Sequence, residues 1–115
     1  MYNEPLTFDV VPGNTADTRI FRLHGPITLS NLFDFQKTLM EGTEKVTIVD
    51  FTESEYMDSA GLGALLNYYV SAKRKGRFLR LVAVNYRIAE LLKLTSAQKL
   101  IDTYDTIEAA EAATS

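Results

Sequence analysis

The chain has 115 residues, 46% of them hydrophobic and 23% charged, which predicts one globular domain with its own core and leaves no room for two. A formal net charge of −3 and a pI of about 5.1 have the wrong sign for bulk attraction to nucleic acid or to an anionic membrane face. The lack of cysteine excludes disulfides and thiolate metal sites, and a single histidine, His24, excludes a multi-histidine centre.

Met1-Tyr2-Asn3-Glu4-Pro5 has neither the basic start nor the apolar run of a signal peptide, and no stretch approaches the roughly eighteen apolar residues of a membrane helix. A reduced, cytoplasmic protein is expected, monomeric by default. Leu6 to Val11 alternates apolar and polar residues and predicts a strand, Pro12-Gly13-Asn14 a turn, and Thr18 to Leu23 a second strand completing a hairpin. After the break at His24-Gly25-Pro26, Ser30 or Asn31 is expected to cap a helix with Leu32, Phe35 and Leu39 on one face, ended by Glu41-Gly42. Val46 to Phe51, β-branched and almost continuously apolar, is the central-strand candidate.

A helix from about Ala60 to Lys75 follows, with Leu62, Leu65, Leu66, Tyr69 and Val70 at helical spacing, and then a strand over Phe78 to Val84. Strand, helix and strand in this order predict a βαβ unit with parallel strands and a right-handed crossover. Asn85 is expected to cap a short helix burying Ile88, Leu91 and Leu92. Leu100-Ile101-Asp102 is placed as a short strand, and Asp105 with Glu108 has capping-box spacing for a last helix. The Ala/Thr/Ser run from Ala112 is expected to be a flexible tail. The fold class is α/β, a mixed sheet of about five strands with about four helices.

Signals for catalysis are weak. His24 sits before a Gly-Pro break and is expected to be a turn or core histidine, not a general base. Asp50, Glu53, Glu55 and Asp58 offer carboxylates, but spacing alone does not bring any two together, and a solvated loop is the default. Gly61-Leu62-Gly63 lacks the Lys-Ser/Thr and the full glycine spacing of a phosphate-cradling loop. Lys73-Arg74-Lys75-Gly76-Arg77 fits the cationic last turn of a helix, with Gly76 as its left-handed terminator, better than it fits a phosphate patch.

The informative stretch runs from Asp50 to Gly63. It leaves a buried strand, crosses an acidic loop and enters a helix at Asp58-Ser59, where unpaired N–H groups favour negative charge; either residue can serve as the N-cap. Asp50-Phe51-Thr52 followed by Tyr56-Met57-Asp58-Ser59-Ala60-Gly61-Leu62-Gly63 resembles the signature of STAS domains, the anti-sigma factor antagonists and their relatives. The likeness extends along nearly the whole chain, because the order of predicted strands and helices is also that of the family.

The resemblance implies a partner switch. The serine after the aspartate, here Ser59, is the residue that an anti-sigma factor serine kinase phosphorylates, and a phosphoserine phosphatase restores it. The chain itself would be substrate and binder, with no enzymatic activity, cofactor or metal of its own. Thr28, Asp58, Ala60, Gly61, Leu62 and Gly63 are the implied partner-binding residues. One departure stands out: antagonists usually carry Gly-Glu-Leu-Asp after the second strand, and here the segment is Gly25-Pro26-Ile27-Thr28, so Thr28 takes the aspartate's place. Thr28 is open to two roles, a hydrogen bond near Ser59 or modification of its own hydroxyl. The alternative reading is a non-switching STAS scaffold, or an accessory subunit of a signalling or lipid-transport complex, in which Ser59 merely caps the helix.

Overall fold

Alternation in the first two strands gives the sheet its antiparallel edge. In the computed structural model, which describes residues 5–113, β1 (Thr7–Pro12) pairs antiparallel with β2 (Thr18–His24). Residues 1–4 of the opening pentapeptide and residues 114–115 of the expected tail lie outside the described residues. β3 (Val46–Glu53), β4 (Phe78–Val82) and β5 (Asp102–Tyr104) then add in parallel, giving one five-stranded sheet in the order β1-β2-β3-β4-β5. The expected mixed sheet and the parallel βαβ unit are both present.

The sheet is covered on both faces. α1 (Phe33–Glu41), α2 (Ser59–Arg74) and α3 (Tyr86–Leu94) close the larger core, in which Phe21, Phe35, Leu39, Val49, Leu65 and Leu81 are fully enclosed. α4 (Ile107–Ala112) covers a smaller cluster of Ile20, Ile48, Val82 and Ala110 on the other face. Phe8, Phe21 and Phe35 pack with ring centroids 5.6–5.8 Å apart, a spacing at which aromatic pairs gain beyond their buried area. Among the described residues no helix is long and apolar enough to cross a membrane.

Several boundaries differ from expectation. α1 begins at Phe33 behind Leu32 with no side-chain cap. Asn31 is occupied elsewhere: its carbonyl accepts from Thr28 N (2.9 Å) and its amide donates to Pro26 O (2.9 Å). The buried stripe of α2 is Gly61, Leu62, Ala64, Leu65, Tyr68 and Ala72, so Tyr68 faces the core while Tyr69 is half-buried and Val70 is exposed. β4 stops at Val82 because Ala83 turns left-handed (φ 59°), a region L residues seldom occupy. A 3₁₀ turn over Ala97–Lys99 carries the chain past Leu100 and Ile101, delaying β5 to Asp102. Thr106, not Asp105, caps α4 by accepting from Ala109 N. Ala112 belongs to α4 and not to a tail.

The end of α4 is tied to the β1–β2 turn through Glu111, whose Oε1 accepts from Thr15 N (2.9 Å) and Thr15 Oγ1 (2.8 Å). The Thr15 backbone bond is the main reason the Glu111 carboxyl titrates below the ordinary glutamate value, partial desolvation opposing it. A lowered carboxylate contributes stability that is present above the unfolded-state pKa and is lost as pH falls through the folded one. Glu111→Gln is therefore expected to lose this small contribution at neutral pH, to approach the wild type as pH falls through the folded Glu111 value, and so to show a shallower acid-side loss of stability. Thermal melts of both proteins from neutral pH down through that value check this.

Candidate functional site

At the C-terminal ends of the parallel strands the chain builds a braced platform for Ser59. The connection after β2 runs beside the β3–α2 loop: Gly25 N donates to Glu53 O (3.0 Å), Ile27 N to Tyr56 O (3.0 Å) and Asp58 N to Ile27 O (3.0 Å). Ile27 and Met57 form a parallel bridge, both buried. Buried Ser54 donates through Oγ to Gly25 O (2.7 Å), and Asn85 Nδ2 donates to Glu55 O (2.8 Å) from the start of α3. Three separate connections are thus locked together just ahead of α2.

Asp58 completes the lock. As N-cap of α2 its Oδ1 accepts from Gly61 N (2.9 Å), while Oδ2 accepts from Leu29 N (3.0 Å) in the β2–α1 connection. Of the two cap candidates, Asp58 fills the position and Ser59 is the first helical residue, exposed to solvent. Gly61 allows the close approach beneath it, since a Cβ there would lie 2.7 Å from Met57 Cγ and 2.8 Å from Ile27 Cγ2.

The other expected partner residues divide by burial. Gly61 and Leu62 point into the core and offer no surface to a partner, because α2 packs that side on the sheet. Ala60 is half-buried, and Gly63 lies on the open side, where a Cβ would meet nothing within 4 Å. Thr28 is buried and its Oγ1 shares a hydrogen bond with Ser30 Oγ (2.9 Å); among the described residues no hydrogen bond joins it to Ser59. Its burial also leaves its hydroxyl poorly placed for modification.

Of the remaining carboxylates, Asp50 and Glu53 line one pocket with Asp9 and His24. Asp50 accepts from Thr52 N and Thr52 Oγ1 within its own turn, and Glu53 lies 3.7 Å from His24 Nδ1. His24, half-buried at the end of β2, has Asp9 3.4 Å from Nε2, so it is flanked by two carboxylates with no nucleophile beside it. Among the described residues no group of three acidic or histidine side chains is arranged for a metal ion. The basic cluster serves the fold: Lys73 and Arg74 lie in the last turn of α2, Gly76 is left-handed (φ 69°), and Arg77 donates to Gly42 O (3.2 Å).

What the sequence reading missed is the apolar rim. Leu29 and Phe33, each 76% exposed, lie on the connection and helix tied to Asp58, and Leu94, 78% exposed, lines the same pocket as Ser59 from α3. Phe33 falls off the Leu32, Phe35, Leu39 stripe, which is the signal that would have marked it as outward-facing, whereas Leu29 stands three residues before Leu32, ahead of the expected cap, and carries no such signal.

The comparisons agree with this architecture. The STAS domain family model matches residues 10–110. A Thermotoga maritima protein assigned as an anti-sigma factor antagonist is 33% identical over 76 residues, 66% of this chain and 66% of that relative. The crystal structure of a Thermotoga maritima protein assigned as an anti-sigma factor antagonist superposes with a TM-score of 0.79 at 25% identity, covering 90% of this chain and 91% of that one. The Bacillus cell fate determinant SpoIIAA in its phosphorylated form shares the fold, with a TM-score of 0.70 at 16% identity over 91% of this chain and 97% of that one. From its family match, its five-stranded sheet and the Asp58–Ser59 junction, the chain belongs to the STAS domain family.

Proposed function

We propose that this chain is a cytoplasmic partner-switching antagonist controlled by phosphorylation of Ser59. The unmodified protein docks on an anti-sigma factor serine kinase through the face around Ser59 and thereby frees a sigma factor. The kinase transfers the γ-phosphoryl group of ATP to Ser59 Oγ, releasing ADP and the hydroxyl proton. The phosphorylated protein lets go, and a phosphoserine phosphatase hydrolyses the ester. In this scheme the chain is a substrate and a binder, and the kinase carries the nucleotide site.

The observation that carries the reading is the exposed Ser59 at the first position of a 16-residue helix, on a braced platform rimmed by exposed Leu29, Phe33 and Leu94. Phosphorylation adds about −1.5 to −2 charges near neutral pH. Toward the domain these charges meet the favourable N-terminus of α2, so the fold tolerates them. Toward a partner they add repulsion and desolvation beside Asp58 and Glu55, and only about 1.4 kcal/mol is needed for each tenfold loss of affinity. SpoIIAA, a protein of the same fold, exists in unphosphorylated and phosphorylated forms.

The test is intact mass and phosphosite mapping after co-expression with a candidate anti-sigma kinase from the same genome. One phosphate on Ser59, abolished by Ser59→Ala, is the expected result. Ser59→Asp is expected to leave the circular dichroism spectrum unchanged and to weaken kinase binding by about tenfold or more. No phosphate from a kinase that is active on another substrate and binds this protein would overturn the switch in favour of a non-switching scaffold.

A further inference from the structure

At the end of α2 the basic cluster also borders a cleft. The 3₁₀ turn over Ala97–Lys99 delays β5, so β5 covers the edge of β4 only at Arg80, Leu81 and Val82. Phe78 and Leu79 lie beyond its reach, and a cleft of about 240 Å³ opens there between the last turn of α2 and Leu100. We infer that this cleft binds a small aromatic monocarboxylate, its ring against Tyr69 and Tyr104 and its acid group at Lys73 and Arg77. The site lies at the far end of α2 from Ser59, about 24 Å along the helix axis, and is independent of the reading of Ser59.

The lining sets the shape of the ligand. Tyr69, Phe78 and Tyr104, each half-buried, offer aromatic surface, and Leu79 and Leu100 add apolar contact. A flat ring packed offset or edge-on against such walls gains beyond its buried area. The volume is below the roughly 300–1,000 Å³ of sites for drug-sized molecules, which limits the guest to one or two fused rings and excludes a nucleoside triphosphate.

Charge sets the acid group. Lys73 Nζ stands 5.9 Å from the Tyr69 ring centroid, and Arg77 donates through Nη1 to Gly42 O (3.2 Å), which holds its guanidinium beside the cleft. Among the described residues no carboxylate lies within ion-pair distance of either cation. Arg80 adds a third positive charge, held by Ala110 O (2.9 Å), and Asp102 is the acid on the lining. The local balance is net positive in a chain whose overall charge is −3. The carbonyls of the last turn of α2, which would repel an anion, are already engaged. Ala72 O accepts from Lys75 N (3.0 Å) and Arg77 N (2.8 Å), and Lys73 O accepts from Gly76 N (3.2 Å). Asp102 opposes a second negative charge, which favours a carboxylate over a phosphate dianion.

The test is a ¹H–¹⁵N NMR titration of the full chain with indole-3-acetate, with its neutral analogue tryptophol and with acetate. Indole-3-acetate is expected to give saturable shifts confined to the amides of residues 76–80 and 100–104, with a Kd of about 1 mM or tighter. Tryptophol is expected to bind at least about fivefold more weakly, and acetate to give no saturable shift there. Lys73→Gln, a change at an exposed position, is expected to weaken indole-3-acetate by about two- to fivefold and to leave tryptophol unchanged. That split separates a lost charge from a disturbed fold. No saturable shift at millimolar indole-3-acetate, equal binding of tryptophol or of acetate, or shifts gathered at another pocket would overturn the assignment. So would an unaltered Kd in Lys73→Gln.

Discussion

Arg19→Leu is expected to destabilise the protein by about 2–6 kcal/mol, the cost of leaving two carbonyls without their donor at about 1–3 kcal/mol each. Arg19 lies on β2 with only 4% of its surface exposed, its guanidinium held between the rings of Phe21 (5.0 Å) and Tyr68 (5.6 Å). Its Nε donates to Thr47 Oγ1 (2.8 Å), Nη1 to Thr38 O (3.1 Å) and Nη2 to Leu39 O (2.7 Å). The two carbonyls belong to the last turns of α1, which has no basic residue there of its own, so β2 supplies the cation that the helix C-terminus favours. Glu44 brings Oε1 to 3.6 Å from Nε, too long for a hydrogen bond, and that buried oxygen has no hydrogen-bond partner among the described residues.

A leucine at position 19 would leave the Thr38 and Leu39 carbonyls without the guanidinium donor, while Thr47 Oγ1 keeps its hydrogen bond with Tyr68. Arg19→Lys keeps the charge and loses the fork, so an intermediate loss is expected. Combining Arg19→Leu with Glu44→Gln should recover part of the loss, a coupling of about 0.5–3 kcal/mol for residues in one network. Gly42 belongs to the same account, because a Cβ there would collide with the Arg19 guanidinium. Urea denaturation with an unchanged slope measures each value. A loss below about 1 kcal/mol for Arg19→Leu would place Arg19 among ordinary surface-type contacts and sink this account.

Arg19 also marks what the sequence could not show. Alternation along Thr18–Leu23 places Arg19 on the same side as Phe21, but its acceptors on α1 lie about twenty positions away and appear only after folding. β3 was legible because a β-branched, nearly continuous apolar run has few other uses. Asn85 and Gly76 were legible because capping chemistry is local. Asn31 was not, because the same side-chain carbonyl that caps a helix also closes a turn, and here the turn takes it.

Tyr68 replaced Tyr69 and Val70 on the buried stripe because the rotation of α2 is set by the sheet beneath it: Tyr68 packs there and shares a hydrogen bond with Thr47 (3.2 Å). The candidate site divides in the same way. Asp58 and Ser59 stand together in sequence and could be read. Leu29, Phe33 and Leu94 reach the same end of the sheet from three other segments, so their adjacency is a property of the topology.

Asp58 joins these segments, and its two oxygens can be separated by mutation. Asp58→Ala is expected to cost about 2–5 kcal/mol, since it removes a helix cap of about 0.5–2 kcal/mol and a second bond to a charged acceptor of about 1.5–3 kcal/mol. Asp58→Ser retains a cap for Gly61 N but cannot also reach Leu29 N, so it should lose roughly half of that. Asp58→Asn offers one carbonyl oxygen to two N–H donors and turns an amide NH₂ toward whichever donor it does not serve, so its cost should approach that of alanine. Amide hydrogen exchange assigns the loss: in Asp58→Ser the Leu29 N–H should open while the Gly61 N–H stays protected. The Ser59 platform would then keep its helix start and lose its hold on the segment carrying Leu29 and Phe33. Partner binding should weaken in Asp58→Ser even though Ser59 still accepts phosphate. Wild-type stability in Asp58→Asn, with both amides protected, would show that the two oxygens do not act separately and that the backbone bonds of Gly25 and Ile27, with Ser54 Oγ, suffice to hold the segments together.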